Sequence, residues 1–369
     1  MDLTAVTAEL AAAASDVARL LPTRTLDPVL AGLLLTATAE GLVLAGTDRE
    51  RAVRLHCPAR VHEDGAVLVP ARPLAETLRA LDEPDVRLVV EGNRLAVRTP
   101  HSRFGLPLLD VDLHPGVAEP PAVAGRADGR PLLRALAAVA GAASKDDALP
   151  LFTGVRLRAE GDTLRLVATD RYRLAIAELP WRPEPAAAPL DVLVPATLVT
   201  ELARQAAGAD RLTLHADTDR FALAWGDSVI GTALLAAPFP NEDRYLHTRG
   251  DASVEVATDA LAAAVRRVAL YADGRGAIGL ELGDGEVRVR GGSPELGDAD
   301  ESVKATVVGR LSQTYRVRYL QDALRVFGDR PIRVWLREGL KTTVFTEAEP
   351  DPDGVALRYL VMPILPAGR

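Results

Sequence analysis

The stretch Val67-Leu68-Val69-Pro70-Ala71 returns almost unchanged as Val192-Leu193-Val194-Pro195-Ala196. Each copy is a short apolar run that predicts a strand, and each leads into an amphipathic helix, predicted over residues 74–81 and 198–207. The Pro is expected to open the helix, because the amide hydrogen that it lacks has no partner at a helix start. A stretch that returns in this way predicts a chain built from copies of one structural unit.

A helix rich in Ala and Leu is predicted at the start of each copy, over residues 3–21, 131–143 and 258–271. Segments in which apolar and polar residues alternate follow each helix, and this period of two is typical of half-buried strands. The third copy is the loosest, with residues 315–319 predicted as a strand before a helix that ends at Gly328. Every copy is therefore predicted as helix, strands, helix, strands.

The predicted fold class is α+β, with three repeated domains that each combine helices with an antiparallel sheet. Short turns between the strands favour antiparallel pairing, with one face of each sheet beneath the helices. Proline-containing segments at 115–121 and 238–242 separate the copies. We predict domains over residues 1–120, 121–246 and 247–369, each close to the common size of a single domain.

Composition and cysteine content describe an ordinary globular chain of the cytoplasm. Of 369 residues, 48% are hydrophobic and 25% are charged. One cysteine, Cys57, excludes an internal disulfide framework and fits a reducing compartment. No basic leader precedes the first apolar stretch and no apolar run reaches eighteen residues, so neither a signal peptide nor a membrane partner is expected.

Enzyme motifs are absent from the sequence. The six His residues are scattered without metal-ligand spacing, and no glycine-rich nucleotide loop occurs. We therefore predict no catalytic residue, no metal and no cofactor. Cys57 precedes Pro58 at a predicted strand end and is interpreted as a buried structural thiol rather than a nucleophile.

Thr-Asp pairs stand at corresponding places in the first two copies, Thr47-Asp48 and Thr169-Asp170. One reading makes the Asp residues catalytic carboxylates, and the other makes both side chains partners of backbone groups in a turn. Recurrence at equivalent positions favours the turn, because a repeated feature usually belongs to the scaffold.

Four strings together resemble the bacterial DNA polymerase III beta subunit family, the replicative sliding clamps, and most closely its actinobacterial branch. They are residues 151–157, 167–175, 239–240 and 359–363. The resemblance runs over essentially the whole chain. It implies the DNA clamp fold, in which two copies close head to tail into a ring around duplex DNA. It also implies a non-catalytic subunit of a DNA-directed DNA polymerase holoenzyme, the processivity factor that tethers the replicative polymerase.

The same resemblance implies a groove in which the polymerase, the clamp loader and other partners dock a short peptide motif. Its residues carry over to Phe152, Thr169, Arg171, Tyr172, Arg173, Leu174, Pro240, Arg244, Tyr245, Arg316, Tyr319, Thr343, Leu360, Val361, Met362, Pro363, Ile364 and Leu365. An apolar floor with a few polar groups at the rim suits such a peptide.

Contacts to DNA are expected to be independent of base sequence, through Lys and Arg on the helices and adjoining loops. Arg24 matches a DNA-contacting arginine of the family, and the further candidates are Arg72, Arg79, Lys145, Arg204, Arg266, Arg267 and Arg275. The chain carries a net charge of -8, which by itself argues against DNA. The six predicted helices, counted with their adjoining residues over 3–21, 72–81, 131–146, 196–208, 258–271 and 318–330, nevertheless carry +3 together. An acidic exterior can therefore accompany a mildly basic bore.

The homodimer interface is predicted from strand and helix ends, at Phe104, Leu106, Leu270 and Tyr271. Simple core packing is an equally open reading of Phe104 and Leu270. Edge strands at the two ends of a protomer can pair across subunits, and a head-to-tail contact of this kind can close into a ring.

Two positions depart from the family pattern: Leu365 stands where an Arg is usual, and Arg316 stands where an Asn is usual. A changed groove rim suggests the hypothesis of a divergent second clamp that resists a groove-binding antibiotic. The sequence also leaves open an interaction scaffold that no longer loads on DNA and an enzyme that has borrowed the fold.

Overall fold

A computed structural model describes residues 1–246 and 250–366, without the side chain of Arg244. The chain forms two compact units. The first comprises Met1–Arg126, Glu184–Ala188 and Arg211–Leu234, and the second comprises Ala127–Pro183, Pro189–Asp210 and the described part of Leu235–Arg369. The first unit thus holds the first repeat and the last strands of the second, whereas the second unit holds the remainder.

Six α-helices occur in the described residues, two in each repeat. They are α1 (Thr7–Leu20), α2 (Ala71–Arg79), α3 (Gly129–Ala140), α4 (Ala196–Gln205), α5 (Thr258–Val268) and α6 (Val317–Arg325). The two helices of each repeat pack against each other. Leu132, Leu136 and Val139 of α3 are buried at the spacing of one helix face, which is the pattern that seats the helix on its sheet.

The strands are β1 (Asp2–Val6), β2 (Gly32–Thr38), β3 (Gly41–Thr47), β4 (Arg51–Cys57), β5 (Arg60–Glu63), β6 (Gly65–Pro70), β7 (Asp85–Glu91), β8 (Arg94–Arg98), β9 (Arg103–Pro107), β10 (Val123–Asp128), β11 (Gly154–Glu160), β12 (Thr163–Thr169), β13 (Arg173–Pro180), β14 (Arg182–Pro183), β15 (Asp191–Pro195), β16 (Arg211–Ala216), β17 (Arg220–Trp225), β18 (Ser228–Ala233), β19 (Ala252–Val256), β20 (Ala277–Gly283), β21 (Glu286–Ser293), β22 (Gly297–Lys304), β23 (Thr306–Val308), β24 (Ser312–Arg316), β25 (Ile332–Leu336), β26 (Thr343–Glu347) and β27 (Ala356–Val361).

In the first unit, one sheet has the strand order β5-β1-β7-β8-β9, and a longer one runs β10-β16-β17-β18-β4-β3-β2-β6. Helix α1 packs on β3 and β4. The segment 117–121 lies against β4, β17 and β18 and leaves a cavity of only about 10 Å³. Arg54 of β4 holds this segment through two hydrogen bonds to the Glu119 carboxylate, at 2.8 and 3.0 Å.

In the second unit, nine strands form one sheet in the order β15-β11-β12-β13-β27-β26-β25-β19-β23, and four form another in the order β22-β21-β20-β24. Helix α3 packs on β12 and β13, and α5 packs on β21 and β22. An ion cluster joins α3 to the end of β26 and the loop after it, because Arg134 pairs with Glu347 and Asp351. Every strand pair whose register is described is antiparallel, and the α+β class and the three-repeat plan are confirmed.

Some predicted element bounds are wrong. Residues 3–6, predicted as helix, belong to β1, because Leu3 and Ala5 alternate into the core while the strand pairs with β7. The strand predicted over 315–319 ends at Arg316, which places Tyr319 in α6. Helices α2 and α4 begin earlier than predicted, at Ala71 and Ala196, directly after the N-cap residues Pro70 and Pro195.

Over the described ranges 1–246 and 250–366, no helix has the length and apolar character needed to cross a membrane.

Gly129 and Gly141, at the two ends of α3, test how tightly this helix is seated. A Cβ on Gly129 would lie 1.6 Å from the Ala209 carbonyl oxygen, whereas a Cβ on Gly141 would meet nothing within 4 Å. We expect Gly129→Ala to lower the free energy of unfolding by roughly 1–3 kcal/mol through overpacking. Gly141→Ala, at φ -64°, should leave it unchanged or raise it by about 0.5 kcal/mol. Urea unfolding followed by circular dichroism measures both, and equal midpoints for the two variants would contradict the described seating.

Candidate groove at the β13–β27 junction

The turn before β13 is built by the side chains of Thr169 and Asp170. The Thr169 hydroxyl donates to the Arg173 carbonyl at 2.6 Å and accepts from the Arg171 amide at 3.1 Å. The Asp170 carboxylate accepts from the amides of Tyr172 and Arg173, both at 3.1 Å. These bonds hold Arg171 at φ 80°, a conformation that non-glycine residues rarely adopt. The reading of this Thr-Asp pair as turn-forming rather than catalytic is confirmed.

The same turn occurs before β4 in the first unit. Thr47 bonds to the Arg51 carbonyl and the Arg49 amide, at 2.5 and 3.0 Å. Asp48 accepts from the amides of Glu50 and Arg51, and Arg49 lies at φ 79°. The two turns are thus copies of one local structure.

Strand pairing brings the second turn beside the C-terminal segment. Leu174 pairs with Leu360 and Arg173 with Val361 across β13 and β27. The Met362 amide then donates to the Tyr172 carbonyl at 2.8 Å, which extends the contact past the end of β27. Leu174 and Leu360 belong to a buried cluster with Val344, so the floor beneath the turn is apolar.

A cavity of about 270 Å³ opens on this floor. Its lining is Phe152, Thr169, Arg171, Tyr172, Arg173, Leu174, Phe239, Pro240, Asn241, Glu242, Tyr245, Thr342, Leu360 and Met362. Ten of the eighteen residues assigned to the groove by resemblance are among them. We call this cavity the junction groove.

Aromatic rings and guanidinium groups alternate along one wall of the junction groove. Tyr172, 51% exposed, stacks on buried Tyr319 with ring centroids 5.9 Å apart. The Arg318 guanidinium carbon lies 4.4 Å from the centre of the Tyr319 ring. The Arg171 guanidinium lies 5.6 Å from the Phe152 ring and 6.0 Å from the Tyr172 ring. Contacts of this kind stiffen long side chains that would otherwise be mobile.

Arg173 is neutralised within the wall. It bonds to Asp170 at 3.0 Å, pairs with Asp322 of α6 and bonds to the Tyr359 hydroxyl at 3.2 Å. Burial lowers the pKa of Arg173, but the nearby Tyr359, Asp170 and Asp322 outweigh it, so its pKa is raised overall. Arg173 therefore links β13 to α6 through an ion pair and also lines the junction groove.

Glu242 closes the groove on the side of the connecting segment. Its side chain is buried, and one carboxylate oxygen accepts from Arg156 of β11 at 3.0 Å. Arg156 also pairs with Asp191 and lies 6.0 Å from the Phe239 ring. These contacts hold the segment that contains Phe239, Pro240 and Tyr245 against the sheet.

The remaining predicted groove residues do not line the cavity. Tyr319 supports Tyr172 from below, and Thr343 is fully buried in hydrogen bonds with Tyr315 and Gln313. Val361 and Pro363 are buried, whereas the Ile364 amide bonds to the Thr314 carbonyl at 2.7 Å. Arg316 and Leu365 are exposed outside the lining, and the side chain of Arg244 lies outside the described residues.

Four lining residues were missed from sequence: Phe239, Asn241, Glu242 and Thr342. Phe239 stands directly before Pro240 in one of the four strings that carry the family resemblance. Its position beside a predicted groove residue could therefore have identified it. Glu242 offered none, because a charged residue becomes buried only with a partner, and Arg156 is remote in sequence.

The predicted DNA-contacting residues all lie exposed on helices or adjoining loops. Three of them already have acidic partners: Arg204 with Glu201, Arg267 with Glu301, and Arg275 with Asp273. The other five, which have no ion pair among the described residues, are Arg24, Arg72, Arg79, Lys145 and Arg266.

Of the predicted interface residues, three present apolar surface. Leu270 is 72% exposed, Phe104 is 42% exposed, and Tyr271 is also exposed. Leu106 is buried, so its side chain packs within the protomer and is not available to a partner. Phe104 lies in β9, at the edge of its sheet.

Cys57 ends β4 and is buried. Burial, with a smaller contribution from the charge of Glu9, raises the pKa of the Cys57 thiol to about 11. A thiol held protonated in this way is a poor nucleophile. The burial of Cys57 confirms that it is a buried thiol.

Three repeats that each combine two helices with antiparallel sheet are the architecture of a DNA clamp. The chain belongs to the DNA polymerase III beta subunit family. It matches the N-terminal domain of that subunit over residues 1–118, the central domain over 128–241 and the C-terminal domain over 244–364. It is thus a sliding clamp, a non-catalytic processivity subunit of a DNA polymerase III holoenzyme.

Relatives and solved structures agree with this assignment. The chain is 36% identical to the beta sliding clamp of Micrococcus luteus, over 80% of this chain and 96% of the relative. It is 29% identical to the beta sliding clamp homolog GriR of Streptomyces muensis, over 94% and 95%. The Pseudomonas aeruginosa sliding clamp bound to griselimycin is 29% identical and has a TM-score of 0.88, with 99% of each chain covered.

The raised pKa of Cys57 predicts slow labelling and a defined loss of stability at alkaline pH. At pH 8, a pKa about two units above normal makes the thiolate roughly a hundredfold scarcer, so a thiol-reactive probe should label the folded chain far more slowly than the urea-unfolded chain. Because the folded pKa is raised, the stabilising contribution is present below the unfolded pKa and is lost as pH rises towards 11. Cys57→Ala should remove that component of the pH dependence. Equal labelling rates in the two states would contradict the buried thiol.

Proposed function

We propose that two copies of this chain close head to tail around double-stranded DNA and tether the replicative polymerase, the clamp loader and other proteins in the cytoplasm. The observation that carries the proposal is the junction groove, an apolar cavity in a chain that matches all three clamp domains. Three domains with boundaries at 120 and 246 remain part of this proposal.

The junction groove has the properties that a short partner peptide requires. Its floor is a preformed sheet surface with Leu174 and Leu360, so little ordering is needed on binding. Met362, which is adaptable and 38% exposed, stands at the rim and suits partners of differing shape. The peptide would gain affinity from apolar burial and specificity from the few polar groups of the wall.

The proposed DNA contact is weak and independent of base sequence. Exposed cations without an ion pair among the described residues, such as Arg24, Arg72 and Lys145, can attract phosphates without gripping them. Arg267 and Arg275 would first have to leave Glu301 and Asp273. We therefore expect the cations without an acidic partner to contribute more to DNA attraction than Arg267 and Arg275.

The proposed dimer interface joins two sheet edges. Strand β9 carries Phe104 and Arg103 at one edge, and β22 carries Asp298 and Asp300 at another. Pairing of the two edges would cover their unpaired backbone groups. Arg103 and Asp300, which pair with Glu91 and Arg290 within the chain, would have to exchange partners to attract each other. Leu270, close to the end of α5, would add apolar surface.

Retention on circular DNA tests the ring. After incubation with a clamp loader, ATP and nicked circular DNA, the chain should remain on the circle and be lost when the DNA is linearised. Leu270→Asp should abolish retention, because a buried charge opposes closure. Val308→Asp is the matched control, since Val308 is a comparably exposed apolar residue at a different sheet edge. Absence of retention by the unaltered chain would contradict the ring and favour an interaction scaffold.

A second candidate function is that of a specialised clamp with reduced affinity for a groove-binding antibiotic. Leu365, 66% exposed just beyond the lining, replaces the usual Arg with apolar surface. A similar clamp has been solved with griselimycin, so an antibiotic of this class is an appropriate probe.

We expect griselimycin to bind this chain more weakly than it binds the main clamp of the same organism. Leu365→Arg should recover part of the difference, because it restores the usual side chain beside the groove. Calorimetric titration of the three proteins measures the affinities. Equal affinities for the two unaltered clamps would dismiss the specialised function and leave the clamp function intact.

A further inference from the structure

Arg171 and Arg49 occupy the same position in two copies of one turn, but only one of them has an acidic partner. Both lie in the left-handed conformation, at φ 80° and 79°. The Arg49 guanidinium pairs with Asp27 at 3.4 Å. The Arg171 guanidinium has neither a hydrogen bond nor an ion pair with any residue in the described ranges 1–246 and 250–366.

The Arg171 side chain is nevertheless held in place. Its guanidinium lies near the rings of Phe152 and Tyr172, and Tyr172 is itself stacked on Tyr319. Contacts with ring faces use the flat face of a guanidinium and leave its N–H groups free to donate. An exposed cation that contacts two rings and has no acidic partner among the described residues can pair with an acceptor from outside the chain.

The other charges of the junction groove are already compensated. Arg173 is paired with Asp170 and Asp322, and Glu242 is paired with Arg156. Among the lining side chains that the structure describes, Arg171 carries the one charge without a partner. The groove thus has an apolar floor and one unpaired positive charge at its rim. This arrangement is complementary to an apolar peptide that carries one acidic side chain.

We propose that Arg171 is a specificity-determining residue that pairs with an Asp or Glu side chain of the docked peptide. This rests on the proposed function of the junction groove as a peptide site. A planar guanidinium can bind both oxygens of a carboxylate, and its prior contact with the rings reduces the conformational freedom lost on binding. Partners with an acid at the matching position are thereby preferred over partners with a neutral residue there.

Paired peptides test the proposal. The probes are labelled hexapeptides of Leu and Ser, acetylated and amidated so that no terminal charge remains, with Glu or Gln at each position in turn. At one position the Glu peptide should bind the unaltered chain about fivefold more tightly than the Gln peptide, as expected for a rim ion pair. Added salt should shrink this ratio.

Arg171→Gln should bring the ratio of the two affinities to one, whatever it does to the affinity for either peptide alone. Arg49→Gln, the same change in the copied turn, should leave the ratio at about fivefold. Thermal melting of both variants checks that each is folded. A variant pair, Arg171→Glu with a Lys peptide, should recover the preference with reversed charge.

Two results would overturn the proposal. If Gln peptides bind but Glu peptides never bind more tightly, or if the preference survives Arg171→Gln, then Arg171 does not select an acid and the groove remains a peptide site. If no peptide of either kind binds the unaltered chain, the groove function itself fails and the role of Arg171 fails with it.

Discussion

The pairing of β13 with β27 is the constraint on which the rest of the second unit depends. It sets Leu174 against Leu360 and fixes the turn at Thr169–Arg173 beside the C-terminal segment, through backbone hydrogen bonds that need no particular side chain. The side chains then form the aromatic wall, the ion pair between Arg173 and Asp322, and the apolar floor. Because a shift of one residue would turn every inward side chain outward, the register alone decides whether a groove exists.

Much of this arrangement could be predicted from the sequence, and what was missed has physical causes. Repeated strings identified three copies, six helices and antiparallel sheets, because hydrophobic periodicity is a local signal. Residues 3–6 were misjudged because they run without a break into the Ala-rich helix α1, and only the pairing with β7 shows that they form a strand. Strand β9 was predicted as an edge, but its position could not reveal that Leu106 is buried.

The groove was predicted by resemblance more completely than by local pattern. Residues adjacent in sequence, such as 171–174, were recovered together because one turn carries them. Thr343 and Val361 were assigned to the wall but lie beneath it, since alternate residues of a strand face opposite sides of its sheet. Glu242 depends on a cation 86 residues away, and no local rule predicts a contact of that separation.

The first unit contains a segment that is in effect a permanent occupant of its own junction. Residues 117–121 cover β4 and β18, the counterpart of the β13–β27 pair, and Glu119 supplies a carboxylate that Arg54 binds at both oxygens. An occupant joined to the chain has an effective concentration that no dissolved competitor readily matches, because it cannot diffuse away. After gene duplication, one junction can thus be covered permanently by a segment of the chain itself, while its copy keeps a groove in which ligands can bind and dissociate.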